Sequence, residues 1–251
     1  MAKGLITRKY EVGESRGIIL CDETQVFERA IEQLKRSRAE LEAFIARFPE
    51  FKMTLEPWSW EGLREVPTVV QRMIDATAPF GVGPMAAVAG ALVDEVYERI
   101  GGSRMANFVM ENGGEILVRA SRPITIGLYA GKSSLGSRVG FVIPPGDVTI
   151  SGIASSSATI GHAISFGSVD VVTVFCGNAS IADAAATAIC NMTTASDESA
   201  AVRQAVEGIN KFALVTGVFA ARGDRVGMGG RLPQMVKLAG DELDLLDLVV
   251  H

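Results

Sequence analysis

The stretch Asn107-Phe108-Val109-Met110-Glu111-Asn112-Gly113-Gly114-Glu115-Ile116-Leu117-Val118 decides the fold. Two β-prone runs flank Asn112-Gly113, and Asn-Gly supplies the positive φ angles that a tight type I′ hairpin turn requires. A connection this short joins antiparallel neighbours only, because a parallel pair needs a crossover of a dozen residues or more. Side-chain-free glycines also let a ligand approach the backbone closely. Gly113, Gly114 and Glu115 therefore carry two readings, a plain turn and a binding turn.

Working outward, the same pattern recurs. Ile6 to Val12 and Gly17 to Cys21 read as an N-terminal hairpin joined by Gly13-Glu14-Ser15-Arg16. A long amphipathic helix is expected from Thr24 to Arg47, with Val26, Ala30, Leu34, Leu41, Phe44, Ile45 and Phe48 approximating one face and Pro49 stopping it. Residues 50–66 read as an irregular connection, Pro67 opens a second helix to about Ala78, and Pro84 suits the first position of a third, Met85 to Ile100. That third helix has almost no charge before Asp94, so its first half should be buried. Ile124-Thr125-Ile126, Val139 to Ile143 and Val169 to Phe175 read as further strands. Helices are expected over 181–192 and 197–210, with a late strand from Phe212 to Phe219. Strands and helices that come in separate runs indicate an α+β fold, an antiparallel sheet with paired helices, and not a wound parallel sheet. The spacing hints at two similar halves within one domain spanning 1–251.

Composition narrows the function. The chain has 251 residues, 48% hydrophobic and 21% charged, enough to bury a core. Its 24 Lys and Arg against 29 Asp and Glu offer no basic field for a phosphate backbone, which argues against nucleic acid. No apolar run reaches the ~18–20 residues of a membrane helix, and the first residues lack the apolar core of a signal peptide. A cytoplasmic setting is the expectation. Cys21, Cys176 and Cys190 form no C-x-x-C pair, and only two histidines exist, so cysteine zinc clusters and multi-histidine sites are excluded. His251 is the last residue, which leaves His162 as the one candidate histidine base.

Three motifs invite chemistry. Ala130-Gly131-Lys132-Ser133-Ser134 fails as a phosphate loop, because Gly127 and Gly131 enclose three residues where four are needed. Arg222-Gly223-Asp224 reads as a turn between strands. Ser180 to Thr187 opens a helix, with Ser180 and Asp183 at capping-box spacing. Asp183 and Thr187 are also i and i+4, so both oxygens leave one helix face. One carboxylate and one hydroxyl, completed by carbonyls and a substrate phosphate, suit Mg²⁺, which takes few protein ligands. Ser151 to His162 reads as a small-residue, hydroxyl-rich loop of the kind that lines ligand sites.

Together these segments resemble the ApbE-like flavin-transferase family, and within it an uncharacterised branch from anaerobic bacteria and archaea. The resemblance rests on Ala86 to Asp94, Gly113-Gly114-Glu115-Ile116, Ser151-Gly152 with His162-Ala163-Ile164, and above all Ala182-Asp183-Ala184-Ala185-Ala186-Thr187-Ala188. It implies a duplicated, tunnelling-fold-like α+β core that binds FAD and Mg²⁺ and moves FMN onto a threonine of a target protein. It would place Asp183, Thr187 and a main-chain carbonyl near Ala86 on the metal. Gly113, Gly114 and Glu115 would line the nucleotide, with Ser151, Gly152 and His162 near the phosphates and His162 as the catalytic candidate. Two positions depart from the family pattern: Ala89 stands where a lysine is expected, and Ser165-Phe166-Gly167-Ser168 replaces an Asp-Pro-Arg-Thr-Gly-like run. Two functions stay open: a Mg²⁺-dependent enzyme acting on FAD or a related nucleotide by FMN transfer or pyrophosphate cleavage, and a non-catalytic small-molecule-binding protein on the same fold. An apolar composition with a continuous sheet is compatible with a homo-oligomer.

Overall fold

The computed structural model describes residues 5–128, 139–157, 167–238 and 248–250. Strands β1 (Ile6–Val12) and β2 (Ser15–Cys21) form the first hairpin, and α1 (Thr24–Arg47), the short α2 (Glu50–Met53), α3 (Thr68–Thr77) and α4 (Val88–Arg99) follow. Next come β3 (Asn107–Asn112), β4 (Glu115–Ala120), β5 (Ile124–Leu128), β6 (Val139–Ile143), β7 (Gly152–Ser156) and β8 (Val171–Cys176). Helices α5 (Ala179–Asn191) and α6 (Glu198–Glu207) precede β9 (Gly217–Arg222), β10 (Arg225–Gly230), β11 (Gln234–Lys237) and β12 (Leu248–Val250).

Eight strands form one antiparallel sheet in the order β1-β2-β3-β4-β7-β8-β9-β10. The order repeats: a hairpin, helices and a second hairpin make β1 to β4, and the same succession makes β7 to β10. The two halves meet where β4 pairs with β7, Ile116 opposite Ile153 and Leu117 opposite Gly152. A smaller sheet, β11-β6-β5-β12, combines two strands from the chain between the halves with two that follow β10, and is antiparallel except for the parallel β12–β5 pair.

Alternation along each strand sorts side chains into two layers. Ile19, Cys21, Phe108, Met110 and Leu117 meet α1, α3 and α4, while Val172, Val174, Val218 and Ala220 meet α5 and α6. Their neighbours Leu20, Val109, Ile116, Ile153 and Phe219 face the small sheet. Phe141 joins the sheets there, its ring 4.9 Å from Phe175 and 5.8 Å from Phe219.

Several sequence expectations need correction. Residues 152–156 are a strand and not a loop: small residues pass under α5, and only Ile153 advertises burial. The late strand begins at Gly217, because Phe212 leaves the sheet to stack on Phe80 at 4.8 Å. The third helix opens with a 3₁₀ turn, Pro84–Ala87, and becomes α-helical only from Val88. The connection 50–66 holds α2, pinned by Phe51, whose ring meets Phe44 and Trp58 edge-on. No single described helix is long and apolar enough to cross a membrane.

Candidate functional site

The site lies at the seam between the halves, where α4 and α5 cross the β4–β7 junction. Gly90 makes the crossing tight: a Cβ there would stand 2.3 Å from the Ala179 carbonyl oxygen. The helices run antiparallel at this point, and each caps the other. The Gly90 N–H, in the first turn of α4 where no intrahelical carbonyl is available, donates to Asp183 Oδ2 of α5 at 3.0 Å. In return, Asp94 of α4 accepts the Ala179 N–H at 3.1 Å, the Ser180 N–H at 2.8 Å and the Ser180 hydroxyl at 2.7 Å. The expected capping box at Ser180 is therefore corrected. Asn178 is the N-cap, its Oδ1 accepting from Ile181 N at 3.0 Å, and the Ser180 hydroxyl turns to Asp94.

The β3–β4 turn closes the seam from below. The hairpin forms, but one residue later than the Asn112-Gly113 reading: Asn112 pairs with Glu115 in the ladder, and Gly113 and Gly114 take the positive φ values, +71° and +120°. The Glu111 carboxylate folds back to accept the Gly114 N–H at 2.8 Å, and the Tyr10 hydroxyl donates to the Glu111 carbonyl at 2.9 Å. Asn112 Nδ2 donates to the Ala89 carbonyl at 3.3 Å and ties the turn to α4. Glu115 shares a strand face with Leu117, the face toward the helices, and is buried.

Glu115 thus lies within range of two other carboxylates, Asp183 and Glu111. Burial pushes the Glu115 carboxyl well above its ordinary range, and the negative charges of Asp183 and Glu111 push it further. Burial likewise raises Asp183, against the N–H groups of Gly90 and Ala89, and Asp94 adds to the rise. Glu111 is lifted by burial to about 7 despite the backbone N–H groups of Gly114, Ile18 and Gly113. Tyr10 is raised by burial and then by Glu111 and Glu115. No described Lys or Arg is among the charges that act on Glu115 or Asp183. Among the described residues no group of three or more His, Cys, Asp and Glu is arranged to hold a metal, so a cation here would need hydroxyl or carbonyl oxygens as well.

The structure brings Gly113, Gly114, Glu115 and Asp183 to one seam. Thr187, half-buried, follows one turn beyond Asp183, and Ala86 lies in the 3₁₀ turn that leads into α4. Ser151 and Gly152 sit elsewhere along it. Val118 N donates to the Ser151 carbonyl at 2.7 Å, so Ser151 is five residues, about 16 Å of strand, from Gly113. Its hydroxyl donates to the carbonyls of Val148 and Gly177. Gly152 lies under the start of α5, where a Cβ would be 2.0 Å from the Asn178 carbonyl carbon. His162 and the Lys132 motif lie outside the described residues. Sequence reasoning missed Asp94, Glu111 and Tyr10 as parts of the site. The first had a signal, the acid that closes an apolar run of helix; the other two had none.

The fold is an α+β arrangement of helices, a broad antiparallel sheet and a smaller second sheet. The family model described as AbpE bacteria matches residues 6–212. A UPF0280 protein of Methanoculleus marisnigri is 42% identical over 238 residues, covering 95% of this chain and 94% of its own length. A UPF0280 protein of Methanocaldococcus jannaschii is 37% identical over 227 residues, covering 90% and 91%. The chain belongs to this ApbE-like family, of which the UPF0280 proteins are members. Among solved structures, the ApbE protein of Thermotoga maritima superposes with a TM-score of 0.57 at 12% identity, covering 90% of this chain and 97% of that one. The flavin transferase ApbE of Vibrio cholerae gives 0.56 at 13%, with the same coverage. At that identity the likeness is one of fold.

Proposed function

We propose that this protein binds a flavin or adenine dinucleotide, FAD foremost, together with Mg²⁺ at the seam between the β3–β4 turn, the start of α4 and the Asp183–Thr187 face of α5. The observation that carries the reading is Asp183, a half-buried carboxylate that the Gly90 N–H fixes at 3.0 Å on the helix face it shares with Thr187, with the buried Glu115 carboxyl within range of its charge and no described cationic side chain acting on either. Buried like charges are costly unless protonated or joined by a cation. The donor chemistry fits Mg²⁺: Asp183 offers a carboxylate oriented by the N–H groups of Gly90 and Ala89, Thr187 offers a hydroxyl, and the main chain near Ala86 offers a carbonyl. When bound, Mg²⁺ would supply the charge that neutralises a pyrophosphate. The chain's own part is to present backbone N–H groups and side-chain-free turns along the nucleotide, with Glu115 beneath it.

A second reading, a binding protein that is a poor transferase, is favoured by Ala89. The family resemblance expects a lysine there, and here the Ala89 carbonyl is taken by Asn112. Removing one preorganised donor from a developing negative charge typically costs ~2.7–4 kcal/mol, about 10²–10³ in rate. Thermal unfolding with Mg²⁺ alone, FAD alone and both tests binding. A ligand at 100 times its Kd adds ~2.7 kcal/mol, a rise of about 5–10 °C for a chain of this size. Asp183→Asn should remove the Mg²⁺-dependent part. The absence of any shift with flavin or adenine nucleotides would end the proposal. Mass measurement of a threonine-bearing acceptor after incubation with FAD and Mg²⁺ then separates the readings, since rapid stoichiometric flavinylation would exclude the second.

A further inference from the structure

We infer that Asp94 is a positioning residue for Asp183, acting through the reciprocal capping of α4 and α5. The inference rests on the proposed site as far as ligand binding goes, and on geometry alone for the rest. Asp94 is 3% exposed and its carboxylate accepts three hydrogen bonds, all from the first two residues of α5. It is thus committed to fixing where α5 begins against α4. Asp183 stands one turn after Ala179 on the same face of α5, and Gly90 stands one turn before Asp94 on α4. Anchoring Ala179 and Ser180 to Asp94 therefore sets the register at which Asp183 meets the Gly90 N–H.

Two constraints make that register single-valued. The Gly90 crossing leaves no room for the helices to slide closer, since the Ala179 carbonyl and the Ser180 nitrogen would lie 2.3 Å and 2.8 Å from a Cβ at Gly90. The Gly90 N–H is in the first turn of α4, where the helix itself supplies no acceptor. Losing the Asp94 anchor frees α5 to shift along α4, and the Asp183 carboxylate then leaves both Gly90 and the Glu115 carboxylate it faces. Asn178 is the natural comparison. It caps the same end of the same helix, and both groups its side chain accepts from, the Ile181 N–H and the Ser180 hydroxyl, belong to α5 itself.

The test compares Asp94→Asn, Ser180→Ala and Asn178→Ala in the full-length protein, with two readouts. One is the hydrogen-exchange protection of the Gly90 amide measured by NMR without ligand; the other is affinity for Mg²⁺ in the presence of FAD. Asp94→Asn should speed exchange at Gly90 by at least about tenfold and weaken Mg²⁺ by about 10–100-fold, the usual effect of losing a residue that orients a metal ligand. Ser180→Ala, which removes one of the three bonds, should show smaller changes in the same direction if Asp94→Asn does not fold. Asn178→Ala should lower the melting temperature and leave both readouts at wild-type values. Unchanged Gly90 protection in Asp94→Asn and Ser180→Ala, or equal loss in Asn178→Ala, overturns the inference. A wild type that ignores Mg²⁺ and FAD, with Gly90 still deprotected by Asp94→Asn, refutes the proposed function and leaves the positioning role standing.

Discussion

Gly90→Ala sets helix propensity against tertiary packing, and the two predict opposite signs. By propensity alone the change should stabilise α4 by up to ~1 kcal/mol, because alanine loses less backbone entropy than glycine. The structure forbids it. A Cβ at Gly90 would sit 2.3 Å from Ala179 O, 2.6 Å from Ala179 C and 2.8 Å from Ser180 N. All three are backbone atoms of α5 and cannot rotate aside, so the helices must separate by about 1 Å to reach ordinary van der Waals distance. Overpacking of this kind costs ~1–3 kcal/mol. Separation also stretches the 3.0 Å bond from Gly90 N to Asp183, and hydrogen bonds to charged groups contribute ~1.5–3 kcal/mol. Set against the propensity gain, the net loss is ~2–5 kcal/mol, or a fall of about 5–15 °C in melting temperature. Gly177→Ala is the control, since the nearest atom to its Cβ is Val148 O at 3.6 Å. Urea and thermal unfolding of the two variants decide the matter. A Gly90→Ala protein as stable as wild type would refute the close crossing and the shared capping built on it.

Three further outcomes follow from the same geometry. Glu111 is lifted from 4.5 to about 7 in the fold, so the folded chain holds a proton that the unfolded chain releases above pH 4.5. The stability tied to Glu111 is therefore complete below pH 4.5 and is lost as pH rises towards and through 7, by roughly 3 kcal/mol in all; urea titrations in chelator at pH 5 and 8 should show a fall of that sign, and Glu111→Gln should reduce it while the share of Glu115 and Asp183 remains. Gly113→Ala should cost only ~1–2 kcal/mol, the price of a left-handed backbone, because the nearest atom to its Cβ is Glu115 Oε2 at 3.8 Å; calorimetry should find Gly113→Asn milder still. Phe141→Ala should cost ~3–5 kcal/mol by uncoupling the two sheets, which a lowered urea midpoint would register.

How much of this was legible beforehand depends on the range of the interactions involved. The extent of α1, the existence of the β1–β2 and β3–β4 hairpins and the Arg222-Gly223-Asp224 turn could be read directly, because periodicity, proline stops and glycine turns act over a few residues, while the turns of those two hairpins proved tighter or later than read, Gly13-Glu14 and Gly113-Gly114. The shared helix face of Asp183 and Thr187 was equally plain, being a matter of 3.6-residue geometry. By contrast, nothing local marks Gly152–Ser156 as the strand on which the halves join, since its burial comes from β4, β8 and α5. The cap of α5 moved from Ser180 to Asn178 because a second acceptor, Asp94, arrives from 86 residues away. The carboxylate seam was divided in the same manner: the sequence by itself determined which acids exist and which helix or turn carries them. Only the tertiary structure decided that Asp183 comes within range of Glu115, because desolvation and like-charge repulsion depend on distance in space, and the chain brings α5 to the β3–β4 turn only when its two halves close.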